Sequence, residues 1–170
     1  MTSKFTEQYR HSGADGLAWS DIRHFTRKEW QGHLPETSAL LVCALDEYRQ
    51  NLGSPVWISP ANWGTHGETS YHYPSQRTQG KIWAVDIFPD CDLSWAYHIA
   101  VRSKVFGAVG VYPYAKYPAK KLKGLLHLDI RHYASLKKIW WRDPVDVYHY
   151  VHNNVELSHM EIAMLAGGIG

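Results

Sequence analysis

Two short stretches of this 170-residue chain carry residues that bind and use metal ions. SYHYPSQRTQGKIWAVD, residues 70–86, offers His72 and Asp86, and HLDIR, residues 127–131, offers His127 with Asp129 two positions on. Two imidazoles and one carboxylate are three ligands of the kind that hold a catalytic zinc ion and leave one coordination position open for water. Nitrogen and oxygen ligation of this sort also admits other divalent ions. In an alternating strand His127, Asp129 and Arg131 share one face, so the first two are expected to point into the same space. Any one of the eleven histidines is by itself a surface or core residue. The combination is what points to a metal.

Several elements must position these residues. After Pro35 the run ETSALLVCALDEYRQNLG predicts a helix, with Leu41, Leu45, Tyr48 and Leu52 on one side and Gly53 as its terminator. SPVWISP predicts a strand bracketed by prolines, and GKIWAVDIF a second, with Ile82, Ala84 and Asp86 on one face. A carboxylate among such apolar neighbours needs a partner, since burying it alone is costly. Between them lies a long aperiodic loop, ANWGTHGETSYHYPSQRTQG, of the sort that is functional in compact domains. DLSWAYHIAVRSKVFG predicts a helix capped by Asp92 or Ser94 and ended by Gly107. AVGVYPY predicts a short strand ended by Pro113, and GLLHLDIR another. WSDIRHFTRKEW has a candidate cap at Ser20 or Thr26. In the tail, Ser158 and Glu161 suit a capping box. The sum is an α+β protein with a small, mainly antiparallel sheet flanked by helices. Its expected organisation is an extended lead-in over residues 1–20, a domain over 21–135, and a C-terminal extension over 136–170 that packs on the same domain.

The length suits one domain with a real core. A formal net charge of +2, with no basic stripe interleaved with aromatics, argues against nucleic acid as a partner. The one local concentration of charge, Lys116, Lys120, Lys121 and Lys123, reads as a solvated loop or a greeting for an anionic substrate. Eight tryptophans and eleven tyrosines point to an aromatic core or to a cleft lined with rings. Cys43 and Cys91 do not make a disulfide framework, and Cys43 reads as a small buried hydrophobe. No apolar run suits a signal peptide or a membrane span, so synthesis in a reducing cytosol and no membrane partner are expected.

At the same residues the chain resembles a family. SYH, GKIWAVDI, GVYP and HLDIR are similar to the signature of the zinc D-Ala-D-Ala peptidases, which include murein carboxypeptidases and phage endolysins and share the hedgehog-like fold. The likeness spans residues 24–133 and is closest to members whose site ends in a His-x-Asp strand. It implies His72, Asp86 and His127 as zinc ligands and Ser70 as a substrate-binding residue. It implies for Asp129 the role of the base that takes a proton from water and passes it to the leaving amine, or that of a partner orienting a histidine. Arg131 would hold a substrate carboxylate or form an ion pair with Asp129 or Asp86. The chain also departs from the pattern. His72 and Asp86 are fourteen residues apart, further than is usual, which makes His66 a rival first ligand. ISPANWG lacks the arginine that many members place there, and Gly124 stands where several carry an acid.

The function expected is that of a zinc-dependent peptidase cleaving bacterial cell-wall peptides, an endolysin or virion-associated hydrolase that acts at the wall after release or within a phage particle. The alternative keeps the fold without the chemistry, as a phage structural or tail-associated module that binds other virion proteins. In a third reading the histidines are incidental to a plain soluble domain.

Overall fold

The computed structural model describes residues 3–132 and 137–168. Helix α1 (Ser3–His11) leads to α2 (Ala39–Leu52) and then to strands β1 (Val56–Ile58) and β2 (Ala84–Pro89). Helix α3 (Leu93–Arg102) precedes β3 (Ala108–Tyr117) and β4 (Leu122–Asp129), and β5 (Lys138–Arg142), β6 (Tyr148–Tyr150) and α4 (Asn154–Gly168) complete the chain. The strands form one six-stranded sheet in the order β1-β2-β4-β3-β5-β6. Every pairing is antiparallel except the parallel one between β3 and β5. The α+β architecture expected from the sequence is the one observed.

Alternation divides the sheet into two faces of different character. Val85, Ile87, Val109, Val111, Leu126 and Leu128 are all fully buried and form one cluster with Leu41 and Leu45 of α2, Ala96 of α3 and Met160 of α4. The opposite face carries Asp86, His127, Asp129 and Gly110, and there Asp86 pairs with His127 and His127 with Gly110 in register. The helix-covered face thus supplies the core, which leaves the other free to carry chemistry.

The local signals that held are those with a local mechanism. α2 ends on Gly53 in the left-handed region at φ 69°, where glycine carries no Cβ penalty. Asp92 caps α3 by accepting from the Trp95 amide at 2.8 Å. Thr26 and Glu29 form a reciprocal capping box on a 3₁₀ turn at Arg27–Trp30.

Other expectations are corrected by tertiary contacts. Over the described part of residues 1–20 the chain is not an extended lead-in. Residues 3–11 are helical, because α1 has partners: the Arg10 guanidinium lies 5.4 Å from the Trp83 ring centre and the Ser38 hydroxyl donates to the Tyr9 carbonyl at 3.2 Å. α3 ends at Arg102 and not at Gly107. Gly107 serves close approach instead, since a Cβ there would stand 1.9 Å from the Arg131 carbonyl oxygen. Pro113 does not end β3, which runs on to Tyr117 across a register shift between Tyr112 and Lys116 that leaves room for the missing N–H. The final helix starts at Asn154 and not at Ser158. Asn153 accepts from the Val155 and Glu156 amides, while Glu156 reaches back to the His152 and Asn153 amides. The segment after residue 136 adds β5 and β6 to the sheet, and the boundary expected at 135/136 lies outside the described residues.

Candidate metal centre

Register places the first two candidate ligands. Asp86 on β2 and His127 on β4 are directly paired, so both side chains rise from adjacent strands on the same face. The third arrives by loop. The Tyr71 carbonyl accepts from the amides of both Trp83 and Ala84, which ties residues 71–72 to the start of β2 and swings His72 over the sheet. His72 Nε2 lies 3.0 Å from His127 Nδ1, His127 Nδ1 lies 3.0 Å from Asp86 Oδ1, and His72 Nε2 lies 3.4 Å from Asp86 Oδ1. Three ligand atoms from three chain segments thus form a nearly equilateral triangle. His72, Asp86 and His127 make a mostly buried group that could hold a metal ion. Asp86 is its more open member, with its side chain 21% exposed.

The far side of His127 explains its orientation. His127 Nε2 lies 3.2 Å from Asp129 Oδ2, so its N–H donates to that buried carboxylate, and Nδ1 is then the nitrogen turned to the triangle. Asp129 is held in turn by Arg131, whose Nε is 2.7 Å from both carboxylate oxygens, with further bonds from its NH2 group and its backbone amide. The Arg131 guanidinium also lies over the Tyr71 ring, 4.1 Å from its centre. This carboxylate–histidine arrangement fixes the tautomer and raises the basicity of a ligand. Asp129 therefore stands behind His127, away from the triangle, and Arg131 is taken up by Asp129.

The lone pair of His127 and the carboxylate of Asp86 are two acceptors 3.0 Å apart, an arrangement that requires a cation between them. Without a metal that cation is a proton. Burial opposes charge on His127, yet its bonds to Asp129 and Asp86 prevail and push its pKa up to about 9. Burial would likewise raise the Asp86 carboxyl, but the bonds from His127 and His72 hold it well below the usual carboxylate range. Asp129 is also held low, its burial outweighed by His127 and Arg131. His72 differs. Burial lowers its pKa against the pull of Asp86, and that keeps it neutral and able to ligate.

His66 is placed beside the triangle and outside it. Its ring stacks on that of His72 at 4.6 Å between centres, and its Nε2 donates to the Asn62 carbonyl at 3.1 Å. Ser70 supports the loop, its hydroxyl accepting from the His72 amide at 3.2 Å. Two contributors carry no sequence signal. Asn62 accepts from the Asp86 amide through its side-chain oxygen at 2.8 Å. Trp140 walls His127 at 5.1 Å between ring centres. Gly110 makes room for that indole, because a Cβ there would stand 2.5 Å from the Trp140 ring. The triangle opens on a cleft of about 940 Å³ that Ser70 and His66 also line. No known protein family, curated protein or solved structure matches the chain.

Proposed function

We propose that this protein is a zinc-dependent peptidase that cleaves bacterial cell-wall peptides, in the manner of a phage endolysin or virion-associated hydrolase. The observation that carries the reading is the triangle of His72 Nε2, Asp86 Oδ1 and His127 Nδ1, with edges of 3.0, 3.0 and 3.4 Å, open on a cleft. A tetrahedral zinc ion with nitrogen and oxygen ligands at about 2.0–2.1 Å needs ligand-to-ligand edges of about 3.3 Å. The carboxylate behind His127 is the support that such ligands require. The resemblance of SYH, GKIWAVDI and HLDIR to the zinc D-Ala-D-Ala peptidases supplies the substrate class.

His72, Asp86 and His127 would hold the ion, which when bound acidifies water and polarises a carbonyl. The remaining roles belong to the chain. Asp129, buried and committed to His127 and Arg131, orients the ligand and does not reach the cleft. Of the histidines lining the cleft, His66 is the one outside the ligand set, and in this reading it would serve as the proton acceptor. Ser70 holds the His72 backbone and presents a wall to substrate. The test is bound zinc and murein hydrolysis, measured for wild type and His127→Ala. A wild type that binds no metal and releases no peptide ends this reading.

A second reading, a virion or tail-associated assembly module of the same fold, is favoured by one feature. Tyr148, Tyr150, Val155, Ile162 and Leu165, all in the C-terminal part of the chain, are each large apolar residues left exposed. Recovery of the chain from purified particles in fixed copy number and without zinc would favour it.

A further inference from the structure

The two imidazoles of the triangle are supported in different ways. Behind His127 stands the Asp129 carboxylate, and the Trp140 indole walls the same ring. Behind His72 there is no such group: its Nδ1 is buried and meets no hydrogen-bond partner among the described residues. The bearing of that ring therefore depends on the His66 ring stacked against it and on the backbone that carries it. The backbone is held at Tyr71. Its carbonyl accepts from the Trp83 amide at 2.8 Å and from the Ala84 amide at 3.1 Å, and its ring stacks on that of Trp83.

These separate supports meet at one guanidinium. Arg131 Nε lies 2.7 Å from both Asp129 oxygens, and the guanidinium carbon is 4.1 Å from the Tyr71 ring centre and 5.7 Å from that of Trp140. Arginine suits this place because its planar cation offers a fork of N–H groups to a carboxylate while lying against aromatic rings, which a lysine ammonium does not do. The backbone fixes where the guanidinium starts. The Arg131 amide donates to Asp129 Oδ1 at 3.1 Å, and the neighbouring Ile130 amide donates to the Trp83 carbonyl at 3.0 Å. Trp83 thus ties the Arg131 segment and the Tyr71 segment to the same point at the start of β2.

On the reading of the triangle as a metal centre, we propose that Arg131 is a positioning residue shared by two of its ligands. It orients His127 through Asp129 and Trp140, and it orients His72 through Tyr71. The 3.0 Å approach of His72 Nε2 to His127 Nδ1 is then set by one side chain that touches neither ring. The role belongs to the metal centre and is independent of the substrate.

The test reads the two rings separately in the full chain, from the imidazole nitrogen NMR signals of His72 and His127 with and without zinc. Zinc affinity is read by competition with a chelator. Arg131→Gln should move the signals of both rings and lower the affinity by about a hundredfold. Tyr71→Leu should move mainly His72 and Asp129→Asn mainly His127, each with a smaller loss than Arg131→Gln. Arg131→Lys keeps a cation on the buried Asp129, and with it the fold, but gives up the planar contact with Tyr71. It should move mainly His72, and it decides the matter should Arg131→Gln fail to fold. His72 signals unmoved in the folded Arg131 variants, or an affinity in Arg131→Gln no lower than in Asp129→Asn, overturns the proposal. A lowered melting temperature with signals and affinity unchanged marks a structural ion pair only and also overturns it. A wild type that binds no zinc ends the metal reading alone. The metal-free signals of Arg131→Lys then decide, a moved His72 supporting the shared support and an unmoved one ending it.

Discussion

His127 is held between two carboxylates, with Asp129 on its Nε2 at 3.2 Å and Asp86 on its Nδ1 at 3.0 Å. One ring thus joins a buried ion pair, Asp129 with Arg131, to the open side of the metal triangle. Which nitrogen faces the triangle is settled by the carboxylate behind the ring and not by the ring itself.

The first prediction concerns that carboxylate. Asp129→Asn keeps the shape but removes the charge that favours Nδ1 as a ligand. Metal affinity should fall roughly 10–100-fold, measured by competition with a chromogenic chelator. Asp129→Ala should also destabilise the fold by about 3–5 kcal/mol, because it leaves Arg131 without its buried partner. Should Asp129→Asn keep full metal affinity and yet lose all turnover, Asp129 would be the proton acceptor and the orienting role would be wrong.

Metal should stabilise the fold, since the triangle draws together three segments that are far apart in sequence. Zinc at about a hundred times its dissociation constant adds about 2.7 kcal/mol. For a chain of this size that raises the melting temperature by roughly 5–10 °C. EDTA should abolish the shift, and His72→Ala and His127→Ala should not show it. A His72→Ala variant with a wild-type shift would return His66 to the ligand set.

Gly110 is predicted to be intolerant of any side chain. In Gly110→Ala the new methyl must displace the Trp140 indole, which would cost about 1–3 kcal/mol of stability. Trp140 also walls His127, so metal affinity should fall in the same variant. Chemical denaturation and metal titration read the two effects separately. Unchanged values in both would show that the indole moves aside freely.

Cys43 is expected to behave as an inert thiol. Burial first, and then the charge of Asp46, push its pKa up to about 11. At pH 8 its alkylation by iodoacetamide should be on the order of a hundredfold slower than that of a free thiol of pKa about 8.5. The rate should keep rising tenfold per pH unit well above pH 9, as followed by peptide mass spectrometry. The sign for stability follows. The folded pKa lies above the unfolded one, so this contribution is intact below about pH 8.5 and is lost as pH rises toward 11. Cys43 is only partly buried, not the fully buried residue expected from the sequence, and a labelling rate that levels off near pH 9 would contradict even that partial burial.

By itself, the sequence determined the elements whose causes are local. The apolar spacing of Leu41, Leu45, Tyr48 and Leu52 with Gly53 specified α2, and alternation specified which faces of β2 and β4 carry Asp86 and His127. The shared face of those two residues was legible because a strand's period decides what a residue faces before any partner is known. The rest was decided by contacts between distant segments. α1 is helical because Arg10 and Tyr9 find partners near Trp83 and Ser38, and nothing within residues 1–20 reveals those partners. His72 takes precedence over His66 because the Tyr71 carbonyl is tied to the start of β2, a matter of loop closure that spacing does not express. The placing of Asp129 behind the ring also needed the fold. Sequence puts both side chains on one face, but only the packed sheet shows which imidazole nitrogen turns toward Asp86 and which toward the carboxylate two residues on.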